Sequence, residues 1–194
     1  LNQEKNTMSE TMNSALLILD YQVGVGDQAY AHEASLRAAQ ALAAGRKAGL
    51  LIIFSKVNFL PDYSDIALTN KAFAPFRTKN LLPPGASKLI PLFQPTHDEA
   101  VVDKDRFSAF CGNDLTDVLR AANVKHLIMA GVSTSGVILS TFAAAADEDY
   151  VMTILFDACA DPKPTLHNEL MTNLFPRSAT VITVNDWITS LTVK

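Results

Sequence analysis

Residues 131–141 read Gly-Val-Ser-Thr-Ser-Gly-Val-Ile-Leu-Ser-Thr and follow directly on the apolar run 126–130. The pattern predicts a buried strand that stops at Gly131 and a helix that starts within the next few residues. At such a junction the first helical N–H groups have no partner and face the cleft beyond the strand end, where they can hold an anion or a developing oxyanion. Ser133, Thr134 and Ser135 also suit a plain N-cap. Two further segments bring ionisable groups to matching places. Asp20 ends the apolar stretch Leu16-Leu-Ile-Leu. Apolar walls there would raise its pKa, although a turn-capping role fits the same position. Lys104 follows the run 100–102. It can pair with Asp20, bind a substrate carboxylate or stabilise a negative transition state, or it can be a solvated surface lysine. Arg106 faces the same side if the chain stays extended. Phe107 and Phe110 can wall a pocket or pack into the core.

These residues need a scaffold that gathers strand ends. Apolar runs of strand length recur at 15–19, 50–54, 100–102, 126–130, 151–156 and 179–184, without alternation, as strands buried on both faces read. Helical stretches at 29–48, 114–123, 134–147, 164–174 and 186–191 separate most of them. The alternation predicts an α/β fold, a three-layer α/β/α sandwich around a six-stranded, mainly parallel, Rossmann-like sheet. Ligands of such sheets sit at the carboxyl ends of the strands, where Asp20, Lys104 and Gly131 fall. Segment 58–99 breaks the rhythm. It carries six prolines together with Phe59, Tyr63, Phe73, Phe76 and Phe93, too aromatic for a free linker. It reads as an ordered lid or a subunit contact.

The 194 residues are most simply one domain, 15–194, preceded by a polar segment, 1–14, expected to be poorly ordered and without a signal-peptide core. The net charge of −4 and the scattered basic residues argue against a nucleic-acid partner. No apolar run approaches the ~20 residues of a membrane span. Cys111 and Cys159 form no CxxC pair, which suits a reducing, cytoplasmic compartment; both read as packing residues. His32, His97, His126 and His167 show no ligand spacing, so neither a catalytic metal nor another cofactor is expected.

Together the three segments resemble the isochorismatase-like hydrolases, a family that includes cysteine amidohydrolases such as nicotinamidases. The resemblance runs from about Ala15 to the C-terminus. Asp20 matches the family's strand-end Asp, with its common Gln at Gln22. Lys104-Asp-Arg-Phe-Ser-Ala-Phe110 is close to the Lys-Trp-Arg-Tyr-Ser-Ala-Phe of isochorismatases. Gly131-Val-Ser-Thr-Ser-Gly-Val137 matches Gly-Val-x-Thr-x-x-Cys, and Asp157-Ala-Cys-Ala-Asp161 is typical downstream. The resemblance implies a catalytic set of Asp20, Lys104 and position 137, and a cis peptide at Val132–Ser133. It implies substrate contacts from Gln22, Arg106, Phe107, Phe110, Ser133, Thr134 and Gly136. A polar group from the loop after the second strand would join them, Asn58 or Arg77. It also implies self-association as dimers or tetramers.

One departure decides the chemistry. Val137 stands where the amidohydrolases carry their nucleophilic cysteine, so a thioester route is closed. Isochorismatases proper also lack that thiol. They cleave an enolpyruvyl ether by protonating its terminal carbon, with no covalent enzyme intermediate. Asp20 is then the general acid. Burial favours its protonated form and Lys104 opposes it, and a small substrate with two carboxylates would settle the conflict by pairing with Lys104. The loop lacks the Phe-Trp-Gly stretch of dedicated isochorismatases, so isochorismate or a related small acid stays open. Two alternatives stand beside this reading. One is an amide or ester hydrolase using Ser133, Ser135 or Cys111; the other is a binding protein without turnover. Val57-Asn-Phe-Leu-Pro-Asp62 lacks the Asp-x-His of the zinc-binding nicotinamidases.

Overall fold

The structure, a computed structural model, describes residues 13–79 and 81–192. The expectation for segment 1–14 therefore lies almost wholly outside the described residues. Six strands form one sheet: β1 (Ser14–Leu19), β2 (Leu51–Val57), β3 (Ala100–Lys104), β4 (His126–Val132), β5 (Val151–Ala160) and β6 (Thr180–Ile182). Their order is β3-β2-β1-β4-β5-β6, and every pairing is parallel, so the sheet is wholly rather than mainly parallel. The direction of winding reverses between β1 and β4, and open α/β sheets bind ligands beyond the strand ends at such a point.

Side-chain alternation along the strands separates two cores. Leu17 and Leu19 of β1 pack with Leu127 and Met129 on one face. There they meet Leu119 of α3 (Leu115–Ala121) and Phe142 of α4 (Leu139–Asp147). Leu16 and Ile18 pack on the other face, against Ala38, Ala41 and Leu42 of α1 (His32–Lys47) and Trp187 of α6 (Val184–Thr192). These two faces are the outer layers of the expected sandwich. The described residues of segment 58–99 form a lid beside Asp20, Val132 and Ser133 at the strand ends. The lid holds one short helix, α2 (Ala74–Lys79), and buries Phe73 and Phe93.

Several elements depart from their expected spans. β2 runs on to Val57, where it pairs with Lys104, and β5 runs on to Ala160. A register shift between Met129 and Gly131 absorbs the extra β5 residues. β6 has only three residues. The helix expected over 134–147 opens with a five-residue π turn, Thr134–Ile138, before α4. The stretch 164–174 divides into α5 (Pro164–Glu169) and a second π turn, Leu170–Leu174.

Gly131 is fixed by close approach. A Cβ there would lie 2.7 Å from Leu19 Cβ and 2.8 Å from the Leu19 carbonyl oxygen, neither of which can swing away. Gly131→Ala should therefore cost about 1–3 kcal/mol of stability. An unchanged urea midpoint in equilibrium unfolding would contradict this packing.

Candidate active site

Asp20 is the first residue beyond β1. Its φ of +58° turns the chain sharply, a conformation that Asp tolerates better than most residues. Its amide donates to the Ser55 carbonyl at 3.0 Å, which tucks the carboxylate against the ends of β2 and β3. Oδ1 accepts from Ser55 Oγ at 3.0 Å and Oδ2 from Lys104 Nζ at 2.7 Å. Lys104 Nζ also donates to the Arg106 carbonyl at 2.9 Å, and its side chain is fully enclosed. Burial pushes the Asp20 carboxyl above its ordinary pKa. The Lys104 charge, the Lys104 hydrogen bond and the Ser55 hydrogen bond pull the other way. Asp20 thus holds a proton more readily than a surface carboxyl, despite the lysine beside it.

The carboxyl opens onto a cleft of about 380 Å³. Asp20 shares its floor with Val132, Ser133 and Val137, and the peptide Val132–Ser133 is cis. Val137 is almost fully buried and lines the same cleft as Asp20, so position 137 presents only hydrocarbon there. Gly136 lies behind Ser133, where a Cβ would come within 2.7 Å of Ser133 Oγ. The turn is held from below. Asp161 Oδ2 accepts from the Ser135 amide at 2.8 Å and its Oδ1 from the Lys163 amide at 3.0 Å. Thr134 is buried away from the cleft with its Oγ1 2.8 Å from His167 Nδ1. Burial lowers the His167 pKa, with Asp161 opposing.

Of the residues singled out in the sequence, Asp20, Gln22, Asn58, Phe107, Ser133 and Val137 meet at this cleft, with Lys104 directly behind Asp20. Four others do work elsewhere. Arg106 donates to the Asp65 carbonyl at 2.8 Å and lies over the Phe73 ring at 5.7 Å. Arg77 donates to the Ile66 carbonyl at 2.8 Å. Both arginines brace the lid and are absent from the cleft wall. Phe110 stacks on Tyr150 at 6.1 Å, against the core. Thr134 joins His167, as above. Gln22 reaches the wall, but its amide is occupied: it donates to the Val57 and Ala86 carbonyls and accepts from the Val57 amide. It ties the end of β2 to the lid. Asn58 Nδ2 donates to Asp103 Oδ2 at 2.7 Å.

A substrate carboxylate expected to pair with Lys104 finds no open ammonium, because Asp20 and the Arg106 carbonyl already enclose it. Neither cysteine sits on the cleft wall. Cys159 is buried, and burial pushes its thiol up to about 12.

Sequence reasoning missed Ser55, which carries a readable signal as the one hydroxyl in the apolar run Leu51-Ile-Ile-Phe-Ser. It also passed over the lid aromatics as site residues. Phe59, Tyr63, Phe73 and Phe76 all line the same cleft as Asp20.

Residues 14–186 match the Isochorismatase domain family. The chain is 28% identical over 182 residues to the uncharacterized isochorismatase family protein YecD of Escherichia coli O157:H7, covering 92% of this chain and 96% of YecD. It is also 28% identical over 142 residues to a ureidoacrylate amidohydrolase, RutB, of Methylorubrum extorquens, which spans 66% of this chain and 57% of that protein. In fold it resembles the crystal structure of a cysteine hydrolase from Pseudomonas syringae pv. phaseolicola 1448A, with a TM-score of 0.85 at 20% identity over 93% of each chain.

Proposed function

Because the chain belongs to the isochorismatase family of hydrolases, we propose that it cleaves an enol (vinyl) ether by proton transfer from Asp20 and addition of water, with no covalent enzyme intermediate. The observation that carries this reading is the pairing on one cleft floor of a buried carboxyl and a valine. The first can deliver a proton and the second offers no nucleophile.

The steps follow from that pairing. The Asp20 proton goes to the terminal vinyl carbon, and the carbon bearing the ether oxygen becomes an oxocarbenium centre. Asp20 is then a carboxylate, stabilised by Lys104 at 2.7 Å and facing the new positive charge. Water adds to the cationic carbon and returns a proton to Asp20. The resulting hemiketal or hemiacetal collapses to a carbonyl compound and an alcohol. A cationic transition state suits a wall that carries aromatic faces and one acid. General acid catalysis of this kind contributes about 10²–10⁴-fold.

A second reading is amide or ester cleavage through Ser133. It is favoured by the position of Ser133 on the cleft floor and by the amidohydrolase names among the relatives. Rapid-quench mass spectrometry of the intact protein during turnover separates the two. The enol-ether reading expects the mass of the free protein throughout. A mass increase mapped to Ser133 would overturn it and establish the acyl-enzyme route.

A further inference from the structure

The charges around the cleft point away from the small acids expected from the sequence. Among the described residues, no lysine, arginine or histidine side chain lines the cleft. The nearby cations are engaged elsewhere. Lys104 is enclosed by Asp20 and the Arg106 carbonyl, Lys56 pairs with Asp103 at 2.6 Å, and Arg77 and Arg106 hold lid carbonyls. Apart from Asp20, the polar side chains on the wall are neutral: Gln22, Asn58, Tyr63, Ser87 and Ser133.

Much of the rest of the wall is built from rings. Phe73 and Phe107 lie 4.6 Å apart between centroids, Phe59 meets Phe73 edge-on at 5.9 Å, and Phe59 and Phe76 lie 6.1 Å apart. Phe107 keeps 44% of its surface exposed. The mouth continues the apolar character through Leu60 and Leu81, which are 53% and 54% exposed. A carboxylate placed here would lose its water and gain no counter-charge from the wall. A flat, uncharged ring would replace water along the phenylalanine faces at no such cost. The volume of about 380 Å³ lies at the small end of ligand sites, which suits a single ring with a short side arm.

We infer that this cleft takes an uncharged planar-ring compound, its ring against Phe107 and the rings of Phe59 and Phe76 and its hydrolysable arm at Asp20 and Ser133, and that it discriminates against carboxylates. The inference rests on the proposed hydrolase reading only for which end of the ligand meets Asp20. The ring preference stands on the cleft walls.

The test is equilibrium binding, which needs no turnover. Acetophenone and benzoate are the probes, because they share shape and heavy-atom count and differ in charge. Calorimetry or ligand-observed NMR on the full chain should show acetophenone binding at least about tenfold more tightly than benzoate at neutral pH. Leu60→Arg puts a cation at the exposed mouth, where the fold tolerates it. That variant should raise benzoate affinity about tenfold and narrow the preference. Benzoate binding as tightly as acetophenone to the wild type, or neither probe binding, overturns the inference. Ring binding without cleavage of any ring-bearing enol ether would instead refute the proposed chemistry and leave the ligand class standing.

Discussion

Asp20→Asn should lower kcat by about 10²–10⁴-fold, the share that a positioned general acid supplies. Asparagine keeps the shape and still offers an oxygen to Ser55 Oγ or Lys104 Nζ, the two groups that hold Asp20 at 3.0 and 2.7 Å. What disappears is the transferable proton. The substitution also leaves the enclosed Lys104 ammonium without its counter-charge, and breaking a buried pair from one side costs about 3–5 kcal/mol. Turnover is therefore compared at a temperature where near-ultraviolet circular dichroism shows the variant folded. A folded variant that keeps kcat within about tenfold of wild type would remove Asp20 from the chemistry.

Lys104→Met acts on the same proton from the other side. Burial raises the Asp20 pKa, and the Lys104 charge is the largest influence holding it down. Without that lysine the pKa rises further. The proposed mechanism needs Asp20 protonated, so activity is present at low pH and falls as pH climbs through the Asp20 pKa. In Lys104→Met that fall should move to higher pH. Stability carries the same sign. A carboxyl whose folded pKa is raised favours the fold fully below its unfolded value, here 3.8, and this advantage is lost as pH rises through the folded value. The variant should thus unfold more easily relative to wild type at pH 8 than at pH 4, as thermal melts at both pH values would record. A falling limb that stays in place or moves to lower pH would show that another group titrates.

The parts of this site that were legible in the sequence are those fixed locally. Asp20 and the Gly131 turn follow directly on apolar runs and Lys104 comes one residue after another, and a parallel sheet must bring such strand ends to one edge. The unbroken apolar run of β1, which buries Leu17 and Leu19 on one face and Leu16 and Ile18 on the other, likewise lies within six residues. The lid is different. Whether Arg77 and Arg106 face a ligand or a carbonyl depends on where the backbone at Asp65 and Ile66 comes to rest. That placement is set by ring packing and by Gln22 clamping Ala86, contacts that join residues far apart in the chain. An arginine's charge is visible in a sequence, but its partner is not. The extension of β5 to Ala160 was hidden for a related reason. Asp157 interrupts the apolar run, yet it accepts the Val184 amide at 2.7 Å and so sits within the strand at little cost.

An acid that protonates carbon and a cleft that prefers an uncharged ring meet in one substrate. Phenyl vinyl ether carries a neutral ring and a terminal vinyl carbon, and its hydrolysis gives phenol and acetaldehyde. The decisive measurement is its cleavage in D₂O, read by NMR at early times beside Asp20→Asn. The expected result is phenol release with one deuteron in the methyl group of acetaldehyde per turnover, and loss of both in the variant. Failure of the wild type to cleave the ether, phenol release without methyl deuterium, or release undiminished in Asp20→Asn would contradict proton transfer from Asp20 to carbon.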